Sequence, residues 1–211
     1  MEGKLKRAFA FLNKGNFKQA EILYLECLDR LEDSESKLYK QALHGLGFVK
    51  NELENFQEAT EIYMKLLHMA RKKGNKEEEG ISYHQLGIVQ RKSGNHDQAL
   101  LHFADEHDIY HAHFPDFHLG LAVNLYESGM IYQVQNKLME AAHMMEESLR
   151  HAKQTDDLVV IGSVYRGLGD IFKQSGDNDK AVSQYQNALA VFKQANDSQA
   201  VEEMDEKLRD L

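Results

Sequence analysis

The sequence has no tryptophan, one proline and one cysteine among its 211 residues. A single cysteine excludes an intrachain disulfide, and Cys27 is expected to pack inside a helix pair as a small apolar residue. A single proline leaves almost the whole chain free to be helical, because proline breaks a helix from within. The composition therefore predicts a protein with a very high helical content.

A long apolar run and an excess of positive charge are also missing. The apolar run at 8–12 is too short for a secretory signal, and nothing approaches the roughly 18 apolar residues of a membrane span. The formal charge is −9, from 34 acidic against 25 basic residues. Neither nucleic acid nor an anionic membrane surface is therefore an expected partner, and we expect a cytoplasmic protein.

Catalytic motifs are missing as well. The chain has no G-x-S-x-G elbow and no phosphate-binding loop. The Gly-x-Gly pairs at 45–47 and 167–169 lie inside helical patterns, where helix packing accounts for them. The carboxylates are spread over helix faces that we expect to be solvated, so no pair is suited to acid or base catalysis. The sequence predicts no enzyme activity, no catalytic residue and no cofactor.

The chain does contain an internal repeat. Residues 81–103 read as a helix, a break at 93–95 and a second helix, and four kinds of position recur along the chain at steps of 39, 40, 42 and 40. Four columns that share one set of steps indicate a structural repeat. The columns are a small residue in the first helix (Ala8, Gly47, Gly87, Gly129, Gly169), the break (Gly15, Glu54, Gly94, Asn136, Gly176), an alanine (Ala20, Ala59, Ala99, Ala141, Ala181) and a large residue (Tyr24, Tyr63, Phe103, Met145, Tyr185).

The glycine column indicates a close contact between the two helices of each repeat. A glycine inside a helix costs about 1 kcal/mol relative to alanine, so its recurrence predicts a compensating gain. We expect that gain to be the close approach of the second helix, with its alanine at the contact and its large residue beside it. A bulky residue at Gly87 is expected to overpack this contact by about 1 to 3 kcal/mol.

This pattern of Leu-Gly in the first helix, glycine at the turn, and alanine followed by an aromatic in the second helix resembles the tetratricopeptide repeat. The resemblance covers essentially the whole chain. It departs from the family pattern in its period of about 40 instead of 34, in lacking the opening tryptophan and in lacking the closing proline. Longer helices account for the period, and make the chain similar to Rap-type peptide receptors and polarity scaffolds.

The resemblance implies an all-α, right-handed solenoid that forms a single domain over residues 1–211. We expect five helical hairpins at about 2–32, 35–73, 76–114, 116–154 and 156–195, and a C-terminal capping helix at 197–210 with a charged outer face. Asp33, Ser34 and Glu35 are expected to begin the second hairpin with capping side chains. Pro115 lies in the junction that carries two extra residues, which we expect to lengthen the turn.

In a solenoid of this kind the first helices line the concave face. Long polar side chains beside exposed apolar ones suit an extended peptide or a partner helix, although an ordinary solvated helix face is the alternative. Chaperone adaptors of the family grip a terminal carboxylate with Lys, Arg and Asn, and the different side chains here argue against a chaperone tail. The residues that the register places in this groove are Asn13, His44, Phe48, Asn51, His84, Ile88, Arg91, Tyr126, Met130, Gln133, Arg166, Asp170 and Lys173.

A histidine-rich stretch around the third junction is a weak metal candidate. His107 and His111 are four residues apart, so they share a helix face, and His118 follows the turn. Such spacing holds zinc or nickel only when a third ligand joins. Histidines at the end of a helix are usually exposed or capping residues and only exceptionally metal ligands, so we predict no metal.

The sequence favours a non-enzymatic adaptor or scaffold that binds a protein or peptide in its groove. The alternative is a peptide-responsive regulator of the Rap type. Full receptors of that class carry an effector region before the repeats, whereas this chain starts with a repeat, which favours the adaptor. A metal-dependent activity is third. A homodimer is also possible, through Phe9 and Phe11 or through Phe114 and Phe117.

Overall fold

A computed structural model describes residues 1–34 and 36–211. Within these residues the chain is all-helical, with eleven α-helices and no strand, which confirms the predicted fold class. The helices are α1 (Glu2–Leu12), α2 (Phe17–Arg30), α3 (Lys37–Glu52), α4 (Phe56–Lys73), α5 (Lys76–Lys92), α6 (His96–His113), α7 (His118–Val134), α8 (Leu138–Ala152), α9 (Leu158–Ser175), α10 (Asn178–Gln194) and α11 (Ser198–Arg209).

The chain divides into two compact units, 1–109 and 110–211, and the division falls inside α6. In the first unit each helix packs on the next along α1 to α5, and α1 also packs on α3. In the second unit α7 to α11 pack in the same way, and α7 also packs on α9. Within each unit, first helices of neighbouring hairpins therefore lie side by side. A single domain over the whole chain stays a prediction.

The recurring glycines face the large residue of their own hairpin, which confirms the predicted close contact. A methyl group added at Gly47 would lie 2.8 Å from Tyr63 Cζ, and one at Gly87 would lie 2.5 Å from Phe103 Cε1. Real carbon atoms do not approach this closely, so the space of a side chain at these glycines is already filled by the ring. The alanines of the second helices are fully buried, as a close helix contact requires.

The breaks inside the hairpins share one backbone conformation. Gly15, Glu54, Gly94, Asn136 and Gly176 all have φ between 59° and 83°, the left-handed region that ends a helix and lets the chain reverse. Glycine adopts this conformation without steric cost, whereas a residue with a Cβ atom is strained by about 1 to 2 kcal/mol. Two hairpins therefore carry a strained turn, at Glu54 and Asn136.

Glu54→Gly is expected to stabilise the first unit by about 1 kcal/mol, because it relieves this strain and the side chain is exposed. Glu54→Ala removes the same carboxylate but keeps the Cβ atom, so it is the matched control and is expected to gain nothing. Urea unfolding followed by circular dichroism measures both. Equal stabilisation by glycine and alanine would show that charge, and not the backbone, limits this turn.

One predicted helix start is wrong, and the predicted longer junction at Pro115 is confirmed. The second hairpin begins at Lys37, and its cap is Ser36, whose Oγ accepts a hydrogen bond from Tyr39 N at 3.2 Å. The cap is thus later than the predicted Asp33 and Ser34, because Ser36 is the residue with an extended backbone before the helix; Glu35 lies outside the described residues. The junction with Pro115 spans 114–117, two residues longer than the junction at 74–75, as predicted.

An interior column on the second helices is polar in two hairpins, at Glu106 of α6 and at Ser148 of α8. Cys27 is fully buried, as predicted, and burial raises the pKa of its thiol. The equivalent residue in α6 is Glu106, a buried carboxylate whose Oε2 lies 3.1 Å from His84 Nδ1. Removing a carboxylate from water is costly unless it is paired, so Glu106 ties His84 to the interior of the hairpin.

The aromatic residues considered for a dimer contact differ in exposure. Phe11 packs against the core of the first unit, and Phe114 is half-buried, so neither offers a free face. Phe117 is exposed on one side and packs edge-on against Tyr110 with 5.1 Å between ring centres. Phe9 is the most exposed of the four, and a homodimer stays a prediction.

Candidate functional site: the groove of the first unit

The first helices of the first unit line a groove of about 670 Å³. Four aromatic side chains line it, Phe9 from α1, Tyr24 from α2, Phe48 from α3 and Tyr63 from α4. Phe9 is 58% exposed and Phe48 is 38% exposed, whereas the two tyrosines are buried beneath them. The groove therefore has a rigid tyrosine floor and two phenylalanines that are open to solvent.

The repeat itself builds this floor. Gly45 has no side chain, and a methyl group there would lie 2.6 Å from the hydroxyl oxygen of Tyr24. The Tyr24 ring thus reaches across from the preceding hairpin into the space beside α3. Gly47, two residues later, makes the same room for Tyr63 of its own hairpin. The Gly-x-Gly pair is therefore a packing device that brings two tyrosines to one groove.

The remaining lining side chains include four polar ones, Lys6, Gln41, His44 and Gln85. Among the described residues that line the groove, Lys6 is the only charged one and none is acidic. Burial lowers the pKa of the His44 imidazole below its ordinary value, so the ring is neutral near pH 7. Its ring centre lies 6.3 Å from that of Tyr63. The groove combines apolar rings, neutral hydrogen-bonding groups and one cation.

Two of the predicted groove residues of the first unit, His44 and Phe48, line this groove. Asn13 is the exposed C-cap of α1 and lies outside the lining. The repeat step of 39 places Leu12, and not Asn13, in the same column as Asn51. Asn51 is only 4% exposed, and its Oδ1 has no hydrogen-bond partner within the described residues. Three further predicted groove residues of the first unit are half-buried and lie outside the lining: His84, Ile88 and Arg91.

In the second unit, three predicted groove residues contact α11 or the residue that follows it. Arg166 Nη1 donates to Glu203 Oε2 at 3.0 Å, and Lys207 Nζ donates to Asp170 Oδ1 at 2.7 Å. Lys173 Nζ lies 3.5 Å from the backbone oxygen of Asp210. The polar side chains of α9 are thus engaged by the chain's own last helix, unlike those of the first-unit groove.

The other three predicted residues of the second unit lie on α7 and are half-buried. Tyr126 and Met130 pack against the hydrophobic cluster of α8 and α9, and Arg166 hydrogen-bonds the Tyr126 side chain. The backbone oxygen of Gln133 lies 3.5 Å from Gln174 Nε2. Packing and internal hydrogen bonds therefore occupy much of this surface.

The histidine candidates do not form a metal site of the usual size. No group of three or more His, Cys, Asp or Glu side chains suited to a metal occurs in residues 1–34 and 36–211. His118 instead faces His151 of α8, with 3.1 Å between the two Nδ1 atoms. His107 is half-buried and His111 is exposed.

Sequence reasoning missed several groove residues that the repeat step identifies. Phe9 lies 39 residues before Phe48, and Lys6 lies 39 before Gly45. Gln41 precedes His44 by about one helical turn and shares its face. Tyr24 and Tyr63 were predicted as packing residues only. Their part in the groove depends on the missing side chain at Gly45, which only the folded geometry reveals.

No helix in the described part of the chain is long and apolar enough to cross a membrane. No curated protein matches the chain in sequence. Solved structures do match in fold. BtubC (BKLC) from P. vanneervenii is 18% identical with a TM-score of 0.75, and the match covers 90% of this chain and 78% of that one.

Two further similar structures belong to longer proteins. Aspartyl phosphate phosphatase F from Bacillus subtilis is 14% identical with a TM-score of 0.82, over 96% of this chain and 53% of that one. A signal transduction ATPase with a tetratricopeptide repeat sensor from Pyrococcus horikoshii is 18% identical with a TM-score of 0.81, over 97% of this chain and 31% of that one. At these identities the likeness concerns the fold alone.

The sequence pattern described as tetratricopeptide repeat matches residues 39–111 and 121–194. These segments make up well over half of the chain, and they contain the glycine, alanine and large-residue columns of four hairpins. The fold of this family is generally a non-enzymatic scaffold for protein interaction. The chain belongs to the tetratricopeptide repeat family.

Proposed function

We propose that the chain is a non-enzymatic adaptor whose first-unit groove binds an extended segment of a partner protein or peptide. The observation that carries the proposal is the pair of exposed phenylalanines, Phe9 and Phe48, above a groove of about 670 Å³. Aromatic side chains that are both exposed and grouped around a concave surface are typical of recognition sites.

The polar lining favours an extended segment over a helix. An extended peptide presents unpaired backbone N–H and C=O groups, whereas a helix has already satisfied its own. Gln41 and Gln85 each carry an amide donor and acceptor, and the neutral His44 ring offers both as well. These groups suit a peptide backbone, while the phenylalanines receive its apolar side chains.

The contrast with the second unit supports this placement. There, Arg166 and Asp170 already form ion pairs with α11, so a ligand would have to displace internal contacts. In the first-unit groove the phenylalanine faces are already open, and burying them adds apolar contact at no such cost. We therefore place the principal binding surface on α1, α3 and α5.

A random twelve-residue peptide library displayed on phage tests the proposal. Peptides selected on the wild-type chain are expected to lose about tenfold or more in affinity with Phe48→Ala or Phe9→Ala, since truncated aromatic anchors carry a large share of binding energy. Ile22→Ala and Leu25→Ala on α2 are the matched controls, because these side chains are 56% and 46% exposed but lie outside the groove lining.

The control variants are expected to bind like the wild type. If every selected peptide binds all four variants equally, the groove is not the recognition surface and the proposal fails. The alternative of a peptide-responsive regulator makes a different prediction, a change in small-angle scattering when a selected peptide is added.

A further inference from the structure

The second unit shows how this repeat holds a carboxylate. Asp170 Oδ1 accepts one hydrogen bond from the Tyr185 hydroxyl at 2.6 Å and one from Lys207 Nζ at 2.7 Å. A tyrosine of the second helix and a lysine ammonium thus hold one acidic side chain against the inner face of the hairpin. Charge-assisted hydrogen bonds of this kind are among the stronger ones in proteins.

The first unit repeats the tyrosine without the acid. Tyr24 and Tyr63 occupy the same column as Tyr185, but the column of Asp170 carries Phe9 and Phe48 in these two hairpins. Tyr24 and Tyr63 are 3% and 2% exposed and both line the groove. Neither hydroxyl hydrogen-bonds another side chain or backbone group within the described residues, in contrast to Tyr185.

Neither hydroxyl is among the fully buried polar atoms that lack a partner, so each remains accessible and can donate a hydrogen bond to a ligand. Burial raises the pKa of both tyrosines, so each hydroxyl keeps its proton and remains a donor. Tyr24 is the better placed of the two, since its hydroxyl lies beside Gly45, which has no side chain and itself lines the groove. The groove floor therefore offers a proton donor that the fold itself does not use.

The cation is present too. Lys6 lines the same groove and forms no ion pair within the described residues. Three other lysines of the first helices are paired: Lys4 with Glu26, Lys40 with Glu78 and Lys92 with Glu52. Lys6 is thus an unneutralised charge that lines the same groove as an unused tyrosine donor.

We propose that the first-unit groove binds the side-chain carboxylate of an Asp or Glu in the partner peptide, between the Tyr24 hydroxyl and the Lys6 ammonium. This inference rests on the proposed function and names the ligand chemistry of the same groove. The acidic side chain takes the part that Asp170 plays in the fifth hairpin. That precedent is an aspartate side chain, so we commit to an internal acidic residue and not to a chain terminus.

The test uses a peptide from the phage selection, resynthesised with an amidated C-terminus. Replacing its acidic residue by the matching amide is expected to weaken binding to the wild-type chain by about tenfold or more, measured by fluorescence polarisation. Tyr24→Phe and Lys6→Gln are each expected to bring this acid-to-amide ratio close to one. Tyr185→Phe, which removes the equivalent hydroxyl in the second unit, is the matched control and should leave the ratio unchanged.

The possible failures can be told apart. Peptides that depend on Phe48 but show no preference for an acid would overturn this inference and leave the proposed function standing. A preference that survives both Tyr24→Phe and Lys6→Gln would place the acid elsewhere and overturn it as well. Strong binding only by the free C-terminal form would assign the carboxylate to the peptide terminus instead. Binding that ignores Phe9 and Phe48 would remove both proposals.

Discussion

Gly87→Val is expected to destabilise the hairpin of α5 and α6 by about 3 kcal/mol. The new Cβ atom alone would lie 2.5, 2.7 and 2.8 Å from three carbons of the Phe103 ring. Phe103 is fully buried, so its ring has no free space into which to move. The overlap outweighs the gain of about 1 kcal/mol that a helical glycine returns when it is replaced.

Hydrogen exchange measured by mass spectrometry follows this hairpin directly. Amide protection in α5 and α6 is expected to fall on the order of a hundredfold, which corresponds to the expected loss of free energy. Gly3→Val is the matched control, because no atom lies within 4 Å of a methyl group added at Gly3. Adding Phe103→Leu to Gly87→Val should recover part of the protection, since the shorter side chain vacates the overlap.

An unchanged exchange pattern in Gly87→Val would show that α5 and α6 can separate without cost. The glycine column would then lack the packing role assigned to it. Loss of protection confined to α1 or to α9 would contradict the local nature of the contact.

Removal of residues 198–211 is expected to expose the core of the fifth hairpin and to reduce protection in α9 and α10 by more than about a hundredfold. Met204 of α11 is fully buried, and it belongs to the same hydrophobic cluster as Tyr185 and Phe192. Loss of one buried methionine side chain alone costs about 2 to 5 kcal/mol. The deletion also leaves Arg166 and Asp170 without their ion-pair partners.

The control keeps α11 and removes only its charges. Glu203→Gln combined with Lys207→Gln retains Met204 and is expected to change stability by no more than about 1 kcal/mol, because the paired groups are partly exposed. Sedimentation analysis should also show association of the truncated chain, since the uncovered surface is apolar. A monomeric truncated chain with wild-type exchange would contradict this role of α11.

The repeat pattern was sufficient to predict the helices and the residues that hold each pair together. Glycine and a large residue at a constant spacing allow only a close helix contact, because the helical glycine is otherwise a cost without a return. The turns were predictable for a similar reason. Three of the five residues in the break column are glycine and one is asparagine, the residue types that most readily adopt a left-handed backbone. These features are local, because they involve residues of one hairpin whose spacing along the chain is fixed by the repeat.

The binding surface was less predictable. The first-helix register placed His44 and Phe48 on the inner face, but it included Asn51, which is buried, and Asn13, which lies at a helix end. The register also could not show that the inner face differs between the two units. The stripe that is open in the first unit is covered in the second by α11, whose Glu203 and Lys207 meet Arg166 and Asp170.

By itself the sequence determined the helical class, the hairpins and the contact inside each of them, because spacing along a helix sets which side chains share a face. Only the tertiary structure decided which of those faces remain open. That outcome depends on contacts that leave the hairpin, such as Tyr24 against Gly45 of the next hairpin and Lys207 of the last helix against Asp170. The folded structure alone shows that the unused Tyr24 hydroxyl and the unpaired Lys6 line the same groove.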